Sequence, residues 1–162
     1  MSDGYTSHAE APTASGWVTA PQGRPALEGP RRGAILVVED REDVRQGLAQ
    51  LLELHGYLVV DAGTGEEALQ QLEQEPDGFA LILLDLMLPG AVSGQDVRKR
   101  QFADPVLATV PTIIVTASEL EPRERARLRP EALLEKPFRF DDLLGLVKRY
   151  VVSEGSALQG LT

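Results

Sequence analysis

The sequence contains no cysteine, and aromatic residues make up only 5% of its 162 residues. Without cysteine, disulfides, thiolate metal sites and thiol nucleophiles are all excluded. No apolar run is long enough to span a bilayer. The N-terminal stretch MSDGYTSHAEAP has neither the basic start nor the apolar centre of a secretory signal. These absences favour a cytoplasmic protein that does not enter a membrane.

Positive charge is also scarce, since the formal net charge is −9. Residues 33–162 hold 22 acidic residues against 13 basic ones, so a direct contact with nucleic acid is not expected there. The bases cluster at 98–100 and 123–129. Solvated helix faces are the preferred interpretation of these clusters, and a docking patch for an acidic partner is the alternative.

Apolar segments alternate with helical patterns along the chain. Residues 1–32 mix Pro, Gly, Ala, Ser and Thr without apolar periodicity and are predicted to be a disordered tail. Five strand-then-helix repeats follow, which predicts an α/β fold with a doubly wound parallel sheet and helices on both faces. Residues 153–162 are predicted to be a flexible tail. The predicted strands are 34–38, 57–62, 79–85, 111–117 and 131–138, the last including the exit from the strand. The predicted helices are 43–55, 64–74, about 94–101, 122–129 and one capped by Asp141. Thr64 is predicted to be the N-cap of the second helix, where Glu67 would complete a capping box.

The predicted strand ends carry the polar residues of interest. Glu39 and Asp40 follow the first strand, Asp85 ends the third, and Thr116 and Lys136 end the fourth and fifth. Each alone has an ordinary explanation: a solvated loop, a turn cap, a β-former or a surface lysine. In a parallel sheet, however, the carboxyl ends of neighbouring strands lie together. Clustered carboxylates call for a cation, and Mg²⁺ with water ligands suits them, while the hydroxyl and the amine could hold a phosphoryl group.

The segments ILVVEDREDVR, LILLDLMLPG, PTIIVTA and EKPF resemble those of the bacterial two-component response-regulator receiver domain. They stand in that family's order and at nearly its spacings, and the resemblance covers about residues 33–152. It implies a five-stranded, flavodoxin-like sheet of strand order 2-1-3-4-5. It also implies a signalling protein, because receiver domains are phosphorylated on an aspartate and dock on other proteins in response.

The resemblance assigns a role to each residue at the strand ends. Asp85 would be the phosphoacceptor, Thr116 the switch hydroxyl and Lys136 the amine that pairs with the phosphoryl group. The metal ligands for Mg²⁺ would be Glu39, Asp40, Asp85 and the backbone carbonyl of Met87. Such a domain catalyses its own phosphorylation and dephosphorylation and turns over no separate substrate.

The resemblance also implies the partners. These would be a sensor histidine kinase or a histidine phosphotransfer protein, and a downstream protein target, with the chain a monomer or weak homodimer. After Val152 only SEGSALQGLT remains, so a stand-alone receiver that signals by docking or phosphorelay is expected.

Three departures from the family pattern keep an alternative open. The loop LPGAVSGQD is one residue longer than usual, Pro122 and Pro130 shorten the fourth helix, and Leu133 replaces the usual aromatic residue three positions before the lysine. A pseudo-receiver that binds partners without phosphorylation is therefore the main alternative. Two other functions are disfavoured. An aspartate-nucleophile phosphohydrolase would need Asp-x-Asp after the first strand, whereas here the candidate nucleophile follows the third strand and Met87 stands in the place of the second acid. A dinucleotide-binding module would need a Gly-rich turn after the first strand, where this sequence has EDRED.

Overall fold

The computed structural model describes residues 29–153, so most of both predicted tails, 1–28 and 154–162, lies outside the described residues. Strands and helices alternate throughout this part of the chain, and a 3₁₀ turn, which the sequence patterns did not predict, precedes the fourth strand. The elements are β1 (Ala34–Val38), α1 (Glu42–Leu54), β2 (Val59–Ala62), α2 (Gly65–Gln74), β3 (Phe79–Asp85), α3 (Gly94–Ala103), the 3₁₀ turn (Leu107–Thr109), β4 (Thr112–Thr116), α4 (Pro122–Leu128), β5 (Ala132–Glu135) and α5 (Phe140–Tyr150).

The five strands form one parallel sheet of order β2-β1-β3-β4-β5, which confirms the predicted topology. The register aligns the strand ends: Val38 of β1 pairs with Ala62 and Leu84, and Asp85 of β3 pairs with Val115. Because all strands run in one direction, the residues that follow them meet at a single edge of the sheet.

The core lies on both faces of the sheet. Every residue of β3 is buried, as the continuous apolar run of this strand predicts for the centre of a parallel sheet. One face packs against α1 and α5, through residues such as Leu52, Leu143 and Val147. The other face packs against α2, α3 and α4, through Leu72, Val97 and a smaller cluster beneath α4. β3 is therefore fixed from both sides, and so is the position of its last residue.

The helix starts differ in detail from the predicted ones. Thr64 caps α2 as predicted, since its hydroxyl accepts the Glu67 N–H at 3.1 Å. The capping box predicted there is wrong, because the Glu67 carboxylate accepts the N–H of Gly63, one residue before the cap. A complete capping box, not predicted, joins Ser93 and Asp96 at the start of α3.

Helix α5 begins earlier than predicted. Arg139 occupies its N-cap position without a side-chain cap, and Asp141 lies inside the first turn, so the predicted cap at Asp141 is wrong. A carboxylate in the first turn still stabilises the helix, because it lies near the positive end of the helix dipole.

Arg98 is an exception to the interpretation of the basic clusters as solvated faces, since the other bases of both clusters are exposed. This side chain is only 1% exposed, and its guanidinium donates hydrogen bonds to the carbonyls of Leu128 and Arg129 at the end of α4. It also donates to Gln101 and Thr112, each at 2.7 Å. Burial lowers the pKa of Arg98 to about 10, an effect that the nearby Glu131 carboxylate opposes. Arg98 therefore ties α3 to the end of α4.

Helix α4 is short, as predicted. It begins at Pro122, in the first turn where the missing N–H costs nothing, and ends at Leu128. Arg129 then adopts a left-handed conformation with φ of 46°. Its carbonyl is one of the groups that Arg98 binds, so Arg98 helps to hold this uncommon backbone shape.

The segment before β1 is attached to the end of α5. Arg31 forms a parallel bridge with Val151: the Arg31 N–H donates to Tyr150 O at 2.8 Å, and the Val152 N–H donates to Arg31 O at 2.8 Å.

Within residues 29–153, no helix is both long and apolar enough to cross a bilayer.

We predict that Arg98→Met lowers the free energy of unfolding by at least about 2 kcal/mol, because it leaves several buried acceptors without a donor. Urea denaturation measures the change. The matched control is Arg100→Met on the exposed side of the same helix, which should change stability by less than about 0.5 kcal/mol. Equal effects of the two substitutions would show that the buried hydrogen bonds do not stabilise the domain.

Candidate functional site

Asp85 ends the central strand and is 4% exposed. Its Oδ1 accepts the N–H of Met87 at 2.8 Å, and its Oδ2 accepts a hydrogen bond from Lys136 Nζ at 2.9 Å. Helix α3 starts close behind it: a Cβ on Gly94 would lie 2.6 Å from the backbone oxygen of Asp85. Only glycine fits there, so the backbone around this carboxylate is closely packed.

Lys136 bridges two of the predicted acidic residues. It follows β5 directly, and its ammonium group lies 2.9 Å from Glu39 Oε2 and 2.9 Å from Asp85 Oδ2. Partial burial alone would lower the pKa of Lys136, but hydrogen bonds and charge attraction from both carboxylates outweigh this and raise it. Lys136 therefore stays protonated and joins the ends of β1, β3 and β5.

Glu39 and Asp40 differ in environment although they are adjacent. Glu39 is 3% exposed, and its Oε1 accepts the N–H of Arg41 at 3.2 Å. Burial raises the pKa of Glu39, an effect that the Lys136 hydrogen bond opposes. Asp40 is exposed, and within residues 29–153 its carboxylate has no hydrogen bond or ion pair.

The site has the donor set of a hard cation. Carboxylate oxygens of Glu39, Asp40 and Asp85 all lie within 4.8 Å of one another. One ammonium group, on Lys136, cannot neutralise three carboxylates, so a divalent ion at this edge would relieve their mutual repulsion. Oxygen ligands with access to water suit Mg²⁺. The Met87 carbonyl remains a predicted ligand, and the Met87 side chain is 72% exposed beside the site.

Thr116 reaches the same edge of the sheet, but its hydroxyl is engaged locally. The side chain is buried at the end of β4. Its Oγ1 donates to the carbonyl of Ser118 at 2.8 Å and accepts the Ser118 N–H at 3.2 Å. A hydrogen bond from Thr116 to a group at Asp85 would therefore require this local turn to open.

Two residues that support the site were not predicted from the sequence. Arg45 of α1 donates to the backbone carbonyl of Glu39 at 2.9 Å and pairs with Asp61 at 2.8 Å. Asp61, which is not among the predicted site residues, therefore supports the acidic pair through Arg45. The only sequence signal was the position of Asp61 near the end of β2, and nothing identified Arg45 as its partner.

Leu133 lies beneath α4 and is partly buried. It packs against a small cluster of Leu86, Ile114 and Leu128. On β5 it pairs in register with Ile114 of β4, the strand that ends at Thr116. At the position where the family usually has an aromatic ring, this chain thus has a smaller aliphatic side chain packed against α4 and β4.

Comparison with known proteins identifies relatives of this chain. A family model described as the response regulator receiver domain matches residues 35–148. The response regulator receiver protein CpdR of Brucella abortus is 31% identical over 119 residues, which cover 74% of this chain and 97% of CpdR. The sensory transduction protein RegX3 of Mycolicibacterium smegmatis is 36% identical over 117 residues, 71% of this chain and 49% of RegX3. This chain thus spans about half the length of RegX3.

A solved structure agrees in fold. The response regulator protein TrrA from Thermotoga maritima, in complex with Mg(2+)-BeF, superimposes with a TM-score of 0.62 and 29% sequence identity. The match covers 72% of this chain and 96% of TrrA.

We predict that Mg²⁺ stabilises the folded protein, because the three carboxylates come together only in the folded state. At tenfold over its dissociation constant, the ion should add about 1.4 kcal/mol to the free energy of unfolding. Thermal melts with and without Mg²⁺ measure this. Asp40→Ala should abolish the shift, whereas Asp77→Ala, an exposed acid at the opposite end of β3, should leave it. Superimposable melts of the wild type would contradict a metal site.

Proposed function

Since this chain belongs to the response regulator receiver family, we propose that it is a two-component signalling protein phosphorylated on Asp85. The observation that supports this most strongly is the placement of one buried carboxylate between a bridging lysine and two further acids. A sensor histidine kinase or a histidine phosphotransfer protein would supply the phosphoryl group. Both the family resemblance and the geometry at this edge of the sheet support Asp85 as the acceptor.

The proposed chemistry is a transfer between two side chains. An oxygen of Asp85 attacks the phosphorus of a phosphohistidine on the partner, so an O–P bond forms while the N–P bond breaks and the electron pair returns to the imidazole. Lys136 is placed to neutralise negative charge on the transferred oxygens, because its ammonium already lies 2.9 Å from Asp85. The Met87 N–H fixes the orientation of the attacking carboxylate.

Glu39, Asp40 and Asp85, with the Met87 carbonyl, would hold Mg²⁺. When bound, this ion supplies charge neutralisation at the phosphoryl oxygens and thereby permits an anionic nucleophile to approach them. Glu39 also accepts the second hydrogen bond of Lys136, so it positions that lysine as well as contributing to the acidic set.

The proposed readout is docking on a downstream protein or onward transfer of the phosphoryl group. Thr116 would exchange its local contacts with Ser118 for the new phosphoryl oxygens. Such a change shifts the equilibrium between two conformations of a docking surface only to the extent that the contacts of neighbouring residues differ in free energy between those conformations. We further propose a cytoplasmic location, where such a kinase could reach Asp85.

We predict a single phosphoryl adduct when the full chain is incubated with acetyl phosphate and Mg²⁺. Intact-mass spectrometry measures it, and the adduct should be absent in Asp85→Asn and without Mg²⁺. Asp77→Asn is the matched control and should be labelled like the wild type. An unlabelled wild type, under conditions that label an ordinary receiver domain, would favour the pseudo-receiver alternative.

We predict slow loss of the phosphoryl group, because the exposed side chain of Met87 offers no hydrogen bond to a hydrolytic water. Met87→Asn should accelerate the loss, about tenfold if one oriented water is gained, whereas Met87→Leu should not. The rate follows from the decay of the mass adduct after the donor is removed. Decay of the wild type within seconds would be the contrary result.

We predict weak coupling between Asp85 and the face formed by α4, β5 and α5. Leu133 offers less area than an aromatic ring, and Arg98 holds the end of α4. Binding at that face should change by about tenfold or less on phosphorylation, equivalent to about 1.4 kcal/mol.

Amide exchange with beryllofluoride as a phosphoryl mimic measures this coupling. Changes should be confined to the loops after β3 and β4. Large changes across 123–129 and 143–151 would show that leucine suffices as a switch. Arg98→Met, if it folds, should widen the response into α4.

A further inference from the structure

About half of the bases in residues 33–162 lie on two neighbouring helices and the residue that follows them. Six of the 13 bases in residues 33–162 are exposed on α3, on α4 or immediately after α4. We call this surface the basic face. Its members are Lys99, Arg100, Arg123, Arg125, Arg127 and Arg129.

These bases differ from most of the others in lacking ion pairs. Among the described residues, Arg41, Arg45, Lys136 and Arg139 pair with carboxylates. No member of the basic face has a carboxylate within ion-pair distance. Elsewhere in residues 33–153, only Lys148 and Arg149 on α5 share that property. The basic face is thus the largest unpaired charge on this part of the chain.

Helix stability accounts for only part of this arrangement. Arg100, Arg125 and Arg127 lie in the last turns of their helices, where positive charge is favourable. Lys99 stands three residues after Asp96 on α3, and its charge attracts that carboxylate. Arg123 stands in the first turn of α4, where positive charge is unfavourable, so helix stability does not account for it.

The two helices enclose a groove of about 670 Å³. Lys99, Arg123 and Arg127 line it, together with Phe102 and Leu128. The guanidinium of Arg98 lies 4.2 Å from the centre of the Phe102 ring and fixes that side of the groove. The groove thus combines exposed positive charges with an apolar wall.

Three acidic residues, Asp96, Glu121 and Glu124, also line the groove. Asp96 accepts hydrogen bonds from Ser93 in the capping box, and Glu124 accepts one from Gln95 across the groove at 3.2 Å, but these neutral donors leave the carboxylate charges in place. All three acids lie at the N-terminal ends of α3 and α4, where Arg123 offsets part of their charge. Further along the two helices the exposed charges that line the groove are positive, on Lys99 and Arg127.

We propose that this groove binds an acidic segment of a partner protein, independently of phosphorylation at Asp85. Charge complementarity selects acidic side chains, and the acids at one end limit the length of the bound segment. A nucleic acid fits less well, because its phosphates continue past the groove towards a domain with a large acidic excess.

The test uses the unphosphorylated full chain and a fluorescent poly-glutamate peptide, with length-matched poly-glutamine and oligothymidylate probes. Fluorescence anisotropy is recorded at about 50 mM and about 300 mM salt, since screening separates surface charge effects. Arg123→Glu with Arg127→Glu removes the charge of the groove. Lys148→Glu with Arg149→Glu makes the same change in net charge on α5, and thermal melts verify that each variant folds. Arg123→Gln with Arg127→Gln is the milder substitute.

We expect the poly-glutamate peptide to bind the wild type at low salt. Its affinity for the groove variant should be at least about tenfold lower than for the wild type, and its affinity for the α5 control should be within about twofold of the wild type. Adding Mg²⁺ and beryllofluoride, a phosphoryl mimic, should change the affinity of the wild type for the peptide by less than about twofold, and a larger change would overturn the independence from Asp85. Equal losses in the two variants, tighter binding of oligothymidylate, or no binding of poly-glutamate at low salt would each overturn the proposal. Salt-sensitive self-association that the groove variant abolishes would instead identify a second copy of the chain as the occupant.

Discussion

The ammonium group of Lys136 is the contact on which the candidate site depends. It lies 2.9 Å from both Glu39 and Asp85 and so joins strands that are distant in sequence. Three carboxylates at one edge repel each other, and a single lysine offsets only part of that repulsion. The remaining negative charge creates a demand for a cation. The same lysine, once a phosphoryl group is present, would have a stronger acceptor beside Asp85.

The contacts of α4 suggest why phosphorylation at the candidate site need not produce a strong response at that helix. Arg98 binds the last carbonyls of α4 from a buried position on α3. Leu133 fills the space beneath the same helix with a small apolar contact. On our proposal, phosphorylation would act on loops more readily than on α4. Protein docking in the groove between α3 and α4 would then not require the usual movement of that helix.

The sequence predicted the parts of this structure that follow from regular spacing. The apolar run of β3 predicted a buried central strand, and the parallel order placed Glu39, Asp40, Asp85, Thr116 and Lys136 at one edge. Arg98 was not predicted, because its neighbours Lys99 and Arg100 are exposed and only tertiary packing distinguishes the three. The partnership of Arg45 with Asp61 was missed for a similar reason, since it joins a helix to a strand outside the predicted site. The details of the α2 cap were also missed, because the Glu67 carboxylate accepts the N–H of Gly63, one residue before the expected partner Thr64.

The central claim is that the Asp85 carboxylate itself carries the phosphoryl group. The most direct measurement is to trap the phosphorylated chain with sodium borohydride, which reduces an acyl phosphate to an alcohol, and to locate the altered residue by peptide sequencing in a mass spectrometer. The account predicts reduction at position 85 alone, only after treatment with donor and Mg²⁺. Reduction at Asp40 or at another carboxylate, or no reduction in a chain that has gained phosphate, would contradict it.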